Sequence, residues 1–169
     1  MSTNRRILII DDNRSIHEDF RKILTPVQSL NAELSAFEDQ LFGAHTPAAA
    51  HEDSFEICSA FQGREGVDAI QQAETDGQPF AVAFVDVRMP PGWDGVETIS
   101  HIWQLAPNLQ IVICTAYSDY SWEQIVEKLG HNDRLVLLRK PFDPVEVHHL
   151  AKSLTEKWTK QNEVPPLGH

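Results

Sequence analysis

Residues 79–95 read PFAVAFVDVRMPPGWDG. The first half, Phe80 to Val87, is a nearly unbroken apolar run of strand length, with β-branched and aromatic residues. Such a run suits a strand covered on both faces, as in a parallel sheet with helices on either side. Asp86 alone breaks the pattern, at the strand's carboxyl end. A carboxylate is costly to bury unless it is paired, bound to a metal or set at a rim. In open α/β sheets the rim at the strands' carboxyl ends is where ligands bind. The MPPGWDG that follows cannot continue the ladder, because two prolines and two glycines break it. One acid is therefore placed at the mouth of a crevice, with a sharp turn of the chain behind it. An Asp that merely caps the next turn would look the same, so the rest of the chain must decide.

Working outward, four more stretches of strand length are found: the apolar runs Arg6 to Ile10 (RILII), Leu109 to Cys114 (LQIVIC) and Leu135 to Leu138 (LVLL), and Phe55 to Phe61 (FEICSAF), which alternates well enough for a strand. Between and after the runs the apolar residues change to helical spacing. The first helix carries Ile16, Phe20, Ile23 and Leu24, and Pro26 ends it. A turn at Gln62-Gly63 leads to a second helix with Val67, Ile70 and Ala73, ending near Gly77. The third follows Gly95, with Val96, Ile99, Ile102 and Trp103. Trp122, Ile125, Val126 and Leu129 build the fourth, which Gly130 terminates. The last starts at Asp143-Pro144, a cap followed by the favoured first-turn proline, and its stripe is Val147, Leu150, Ala151, Leu154 and Trp158. Strands alternating with helices predict an α/β fold with a parallel sheet covered on both faces.

Residues 25–54 interrupt this alternation. Leu30, Leu34, Phe37, Leu41 and Phe42 would form one face of a short helix, and GAHTPAAAHEDS reads as a loop. A surface insertion packed on its own domain is the expectation; a docking or dimerising helix is the alternative. The tail NEVPPLGH is linker-like.

Composition narrows the function classes. A net charge of −11 disfavours nucleic acid or an anionic membrane surface as a direct partner. No apolar run approaches the roughly 20 residues that cross a bilayer. MSTNRR runs straight into a strand with no signal-peptide pattern. Cys58 and Cys114 both fall in strand-like runs and read as buried free thiols, which fits a cytoplasmic location. HExxH, CxxC and a phosphate-cradling glycine loop with Lys-Ser/Thr are all missing.

Strand ends carry the chemistry: Asp11 and Asp12 after the first, Asp86 after the third, Thr115 after the fourth, Lys140 after the fifth. In a parallel sheet these ends share one edge. Asp and Asn before a helix are also good caps, but two adjacent acids exceed what one cap needs. Carboxylates at about 4 Å and an effective dielectric of about 20 repel by about 4 kcal/mol per pair. Lys140 offsets part of that, and a hard divalent ion, best magnesium, would offset the rest. Such a site suits phosphoryl transfer, with a carboxylate attacking in line and a hydroxyl binding a phosphoryl oxygen.

IIDDN, FVDVRMPPGWDG, ICTAYSD and RKPFD, in this order and at these separations, closely resemble the receiver domain of two-component response regulators. The resemblance covers residues 5–158, with 25–54 as an insertion between helix 1 and strand 2 and 159–169 as a linker or tail. It implies a flavodoxin-like (βα)5 three-layer sandwich with strand order 2-1-3-4-5. It also implies that Asp86 takes phosphate from a histidine-kinase phosphohistidine, with Mg2+ as cofactor. Asp12 would bind the metal directly and Asp11 through water, and the backbone carbonyl of Arg88 would complete the protein ligands with Asp86. Lys140 would pair with the phosphoryl group, Thr115 would swing its hydroxyl towards it, and small Ala116 would leave it room. The implied partners are a histidine kinase or phosphotransfer protein and a downstream protein or attached domain, with room for a weak homodimer. The face made of helix 4, strand 5 and helix 5 would change its arrangement on phosphorylation. With no output module in view, the chain reads as a stand-alone receiver or, favoured by Trp158 so near the end, a piece of a hybrid kinase or longer regulator.

Some positions depart from the family pattern. Leu137 stands three residues before Lys140, where an aromatic switch residue is usual. The loop after Asp86 is one residue longer, with Pro90-Pro91 where one proline is usual. Arg88 and Tyr117, two residues past Asp86 and Thr115, sit where the rate of dephosphorylation is tuned. A phosphatase with an aspartyl-phosphate intermediate would want an acid where Arg88 stands, which argues against an enzyme with turnover. A receiver-like fold used only for binding or dimerising is the alternative.

Overall fold

Each apolar run becomes a strand in the computed structural model, which describes residues 3–25, 55–89, 92–116, 121–130 and 133–162. The strands are β1 (Arg6–Ile10), β2 (Glu56–Ala60), β3 (Val82–Asp86), β4 (Gln110–Thr115) and β5 (Leu135–Arg139). They form one parallel sheet in the order β2-β1-β3-β4-β5. Connections run to one side from β1 to β2 and to the other from β3 onward. The crevice between β1 and β3 is therefore the switch point at which such sheets bind ligands.

Five helices cover the sheet: α1 (Arg14–Leu24), α2 (Gly63–Thr75), α3 (Gly95–Leu105), α4 (Trp122–Leu129) and α5 (Pro144–Asn162). Strand side chains alternate between faces, and the core divides accordingly. Ile7, Ile9, Phe84 and Val112 pack with Phe20 and Leu24 of α1 and Val147, Ala151 and Leu154 of α5. Leu8, Ile10, Val85 and Ile113 pack with Ile70 of α2, Ile99 of α3 and Ile125 of α4. This is the expected flavodoxin-like three-layer sandwich, with two helices on one side and three on the other.

Local chemistry sets the helix ends. Asn13 caps α1, its side chain accepting from the Ser15 N–H, so neither Asp11 nor Asp12 is used as the cap. Asp94 caps α3 through the Glu97 N–H. Ser121 and Gln124 form a reciprocal capping box on α4, which ends at Gly130 with φ +80. At Gly95 a Cβ would lie 2.3 Å from the Asp86 carbonyl oxygen and 2.9 Å from the Val87 Cα, so only glycine lets α3 start this close to the end of β3.

The structure corrects the sequence reading in places. Gly63 is the first residue of α2 and not part of a turn; Gln62 is the residue before the helix. Cys58 is half-buried, because β2 is an edge strand, while Cys114 is buried; both are free. Helix α5 continues through 159–162, past the Trp158 end that its apolar stripe predicts and into the expected linker or tail. The Asn4 N–H donates to Thr159 Oγ1 at 2.9 Å and Asn108 Nδ2 to Asn162 Oδ1 at 3.2 Å, which ties that last turn down. The short helix expected within 25–54, the Pro90-Pro91 pair, Tyr117 and the tail from residue 163 lie outside the described residues. Among the described residues no helix is long and apolar enough to cross a membrane.

Candidate functional site

Parallel strands deliver their carboxyl ends to one edge, and the polar residues meet there. Asp11 directly follows β1, Asp86 ends β3, Thr115 ends β4, and Lys140 follows the last residue of β5. One carboxylate oxygen from each of Asp11, Asp12 and Asp86 can be chosen so that all three lie within 4.8 Å of one another. Asp11 and Asp86 are buried, at 2% and 6% exposure, while Asp12 is exposed. The acid pair after β1 and the acid after β3 thus converge across the switch point.

Lys140 closes the cluster. Its Nζ lies 2.9 Å from Asp86 Oδ1 and 3.3 Å from Asp11 Oδ2. Its backbone N–H donates to the Thr115 carbonyl at 2.8 Å, so the β4 end holds the lysine in place. Asp11 is anchored equally well. Its N–H donates to the Ala60 carbonyl at 3.1 Å, and its Oδ1 accepts the Asn13 N–H at 2.9 Å.

The electrostatics follow from crowding. Burial, then the Asp11 charge, pushes the Asp86 carboxyl up from 3.8 to about 6; the Lys140 hydrogen bond and charge pull it down without cancelling the rise. Burial works to lower Lys140, but the hydrogen bond to Asp86 and the Asp11 and Asp86 charges outweigh it and the ammonium is held above its usual range. Burial raises the neighbouring Cys114 thiol well above its usual value, so it is no rival nucleophile. The result is an ionisable carboxylate beside a fixed cation.

The donor set fits a hard divalent cation. All candidate side-chain ligands are carboxylate oxygens, the preference of magnesium or calcium. Two are buried and one faces solvent, which lets a bound ion keep water. One lysine also leaves three acids incompletely balanced.

The remaining predicted residues take these places. Thr115 is buried at the end of β4, and Ala116 follows it, exposed. Arg88 is exposed, two residues beyond Asp86. Leu137 is half-buried in β5 and pairs in register with Ile113. Two contributors escaped the sequence reading. His17, 4% exposed, bonds through Nε2 to the Asp11 carbonyl. Its spacing to Phe20 and Leu24 puts it on the inward stripe of α1, which was a usable signal. Trp93 stacks on His101 at 4.0 Å with the Arg64 guanidinium 5.2 Å from its ring, fixing the end of the loop after Asp86. These partners lie in two other helices, so no local pattern could reveal the stack.

Known proteins resemble this build. The response regulator receiver domain family matches residues 38–152, more than half of the chain. That match begins beyond β1 and α1, so Asp11 and Asp12 join the comparison through the fold. The chemotaxis protein CheY of Thermotoga maritima is 30% identical over 88 residues, covering 52% of this chain and 66% of that protein. The sporulation initiation phosphotransferase F of Bacillus subtilis is 24% identical over 102 residues, 60% of this chain and 75% of that one. In fold, the REC domain of the response regulator AraT from Geobacillus stearothermophilus superposes with a TM-score of 0.65 at 21% identity, covering 95% of this chain and 99% of that domain. A CheY-like receiver domain protein from Methanospirillum hungatei gives 0.64 at 20% identity, over 94% and 98%. The chain belongs to the response regulator receiver domain family of two-component signalling proteins.

Proposed function

We propose that Asp86 is the phosphoacceptor of this receiver domain and takes its phosphoryl group from the phosphohistidine of a histidine kinase or phosphotransfer protein. The observation that carries the reading is the cluster of Asp11, Asp12 and Asp86 with Lys140 bridging two of them. In the transfer an Asp86 carboxylate oxygen forms a bond to phosphorus while the phosphorus–nitrogen bond of the donor breaks. The electron pair stays on the imidazole nitrogen, which takes a proton. Asp11, Asp12, Asp86 and the Arg88 carbonyl would hold magnesium, which when bound neutralises charge on the phosphoryl oxygens.

This chain's own residues do the rest. Burial keeps Asp86 poorly solvated and therefore ready to exchange its contact with Lys140 for a covalent partner. Lys140 then pairs with the phosphoryl oxygens. Thr115 supplies a hydroxyl hydrogen bond, and Ala116 leaves the space. Arg88 and Tyr117 govern how water reaches the aspartyl phosphate. The product adds nearly two negative charges to an acidic site. Drawing Thr115 inward moves the end of β4, and the face of α4, β5 and α5 changes its population between two arrangements, to be read by a partner. Leu137 gives this face an aliphatic residue where relatives couple an aromatic one to the threonine.

Incubation with acetyl phosphate and magnesium, followed by intact mass, tests the assignment. Wild type should gain the mass of one phosphoryl group and Asp86→Asn should gain none. No gain in wild type would favour the second reading, a binding or dimerising module that is not phosphorylated.

A further inference from the structure

His17 is a buried polar side chain for which the phosphoacceptor chemistry provides no role. Its Nε2 lies 2.7 Å from the Asp11 carbonyl oxygen and its Nδ1 2.9 Å from Ser59 Oγ. A carbonyl oxygen only accepts, so Nε2 carries the proton and donates. In the neutral ring Nδ1 then accepts the Ser59 hydroxyl proton. Ser59 Oγ in turn accepts from Arg21 Nη2 at 3.0 Å. The imidazole also packs on Phe61, with centroids 4.5 Å apart, and the Arg14 guanidinium sits 4.7 Å from the same Phe61 ring. Both ring nitrogens are bonded and the ring packs on Phe61, which together fix the direction of the bond to Asp11.

That bond falls on the peptide joining Asp11 to Asp12. The peptide unit is planar, so holding its oxygen sets the tilt of the plane and the direction in which the chain leaves for Asp12. The preceding N–H of Asp11 is already tied to Ala60. Ser59 and Ala60 are consecutive residues at the end of β2. The edge strand therefore grips the acid pair twice, once directly and once through His17.

We infer that His17 is a positioning residue: donating from Nε2 to the Asp11 carbonyl, and braced by Ser59 and Arg21, it holds the Asp11–Asp12 peptide so that both acids and Asp86 face one cation. The inference rests on the proposed reading of the acid cluster as a divalent-cation site. Loss of a hydrogen-bonded group that orients a metal ligand typically costs about 10–100-fold in metal affinity.

Two substitutions separate its two hydrogen bonds. The amide nitrogen of Gln can reach the place of Nε2, and that of Asn the place of Nδ1. Magnesium is titrated calorimetrically into the full chain as wild type, His17→Gln and His17→Asn, and the melting temperature of each metal-free protein is recorded. The expected result is affinity close to wild type for Gln and about 10-fold or more weaker for Asn, although each variant loses one buried hydrogen bond and melts lower. Equal affinity in Asn and wild type, or equal weakening in Gln and Asn, would overturn the role. Should the Asn variant fail to fold, His17→Met, which fills much of the same space and donates to neither partner, takes its place; weaker binding beside an unaffected Gln variant supports the role and binding equal to wild type overturns it. A wild type that takes up no magnesium defeats the cation site itself, and the positioning role with it, a pattern distinct from a wild type that binds beside an unaffected Asn variant.

Discussion

At the scale of single residues, Asp86 is held in a state that folding alone does not favour. Its carboxyl titrates near 6 in the native protein against 3.8 in the unfolded chain, because burial and Asp11 outweigh Lys140. Between about pH 4 and about pH 6 the native state keeps a proton that the unfolded state has lost. Stability from this group is complete below that window and is lost as pH rises through it, by about 2–3 kcal/mol. Asp86→Asn removes the titration. In metal-free buffer its stability relative to wild type should improve by about 2–3 kcal/mol between pH 4 and pH 7 in paired denaturant melts. A difference that stays flat would show that Asp86 is not under this strain. The acid's place at the sheet edge was legible from one break in an apolar run and from Asp11 and Asp12 ending another. What spacing could not show was that Asn13 does the capping, leaving both acids to the cluster. His17 was missed for a related reason: a lone histidine in a helix announces no partner until the end of β2 is brought against it.

At the scale of elements, β3 and α3 are joined so closely that the backbone at Asp86 depends on a glycine. The Gly95 N–H donates to the Val87 carbonyl at 2.7 Å. A methyl group at Gly95 would press on the Asp86 carbonyl oxygen and the Val87 Cα, both backbone, which have little freedom to yield. In an exposed helix Gly→Ala usually stabilises by up to about 1 kcal/mol; here the sign should reverse, with Gly95→Ala costing about 1–3 kcal/mol as overpacking does. Chemical denaturation measures it, and a neutral or stabilising alanine would contradict the contact. The existence and type of every described element followed from its apolar residues, strand-length runs for the strands and helical spacing for the helices. Boundaries did so less well, since the end of α5 is fixed by Asn4 and Asn108, distant in sequence, and the start of α2 by packing against α3, where a Cβ on Gly63 would meet Thr98 Oγ1 at 2.0 Å.

At the scale of the whole molecule, the sheet's topology turns scattered acids into a site. Asp11, Asp86 and Lys140 are far apart in sequence, yet a parallel order of β2-β1-β3-β4-β5 brings the ends of β1, β3 and β5 to one edge. This is why the site could be expected from sequence once the strands were read as parallel. The surroundings of the site could not, because Trp93, His101 and Arg64 assemble from three elements. Helix α5 starts four residues after Lys140 and ends against Asn108, just before β4 begins. Its 19 residues span about 28 Å, at about 1.5 Å per residue, so one helix links the acid edge to the opposite edge.

The central claim is that acids from two strands share one cation opposite Lys140, and magnesium titration of the metal-free protein tests it most directly. Calorimetry should show one bound ion per wild-type chain, with binding abolished or severely weakened in both Asp12→Asn and Asp86→Asn. Undiminished binding in either variant, or no binding in wild type, would contradict it.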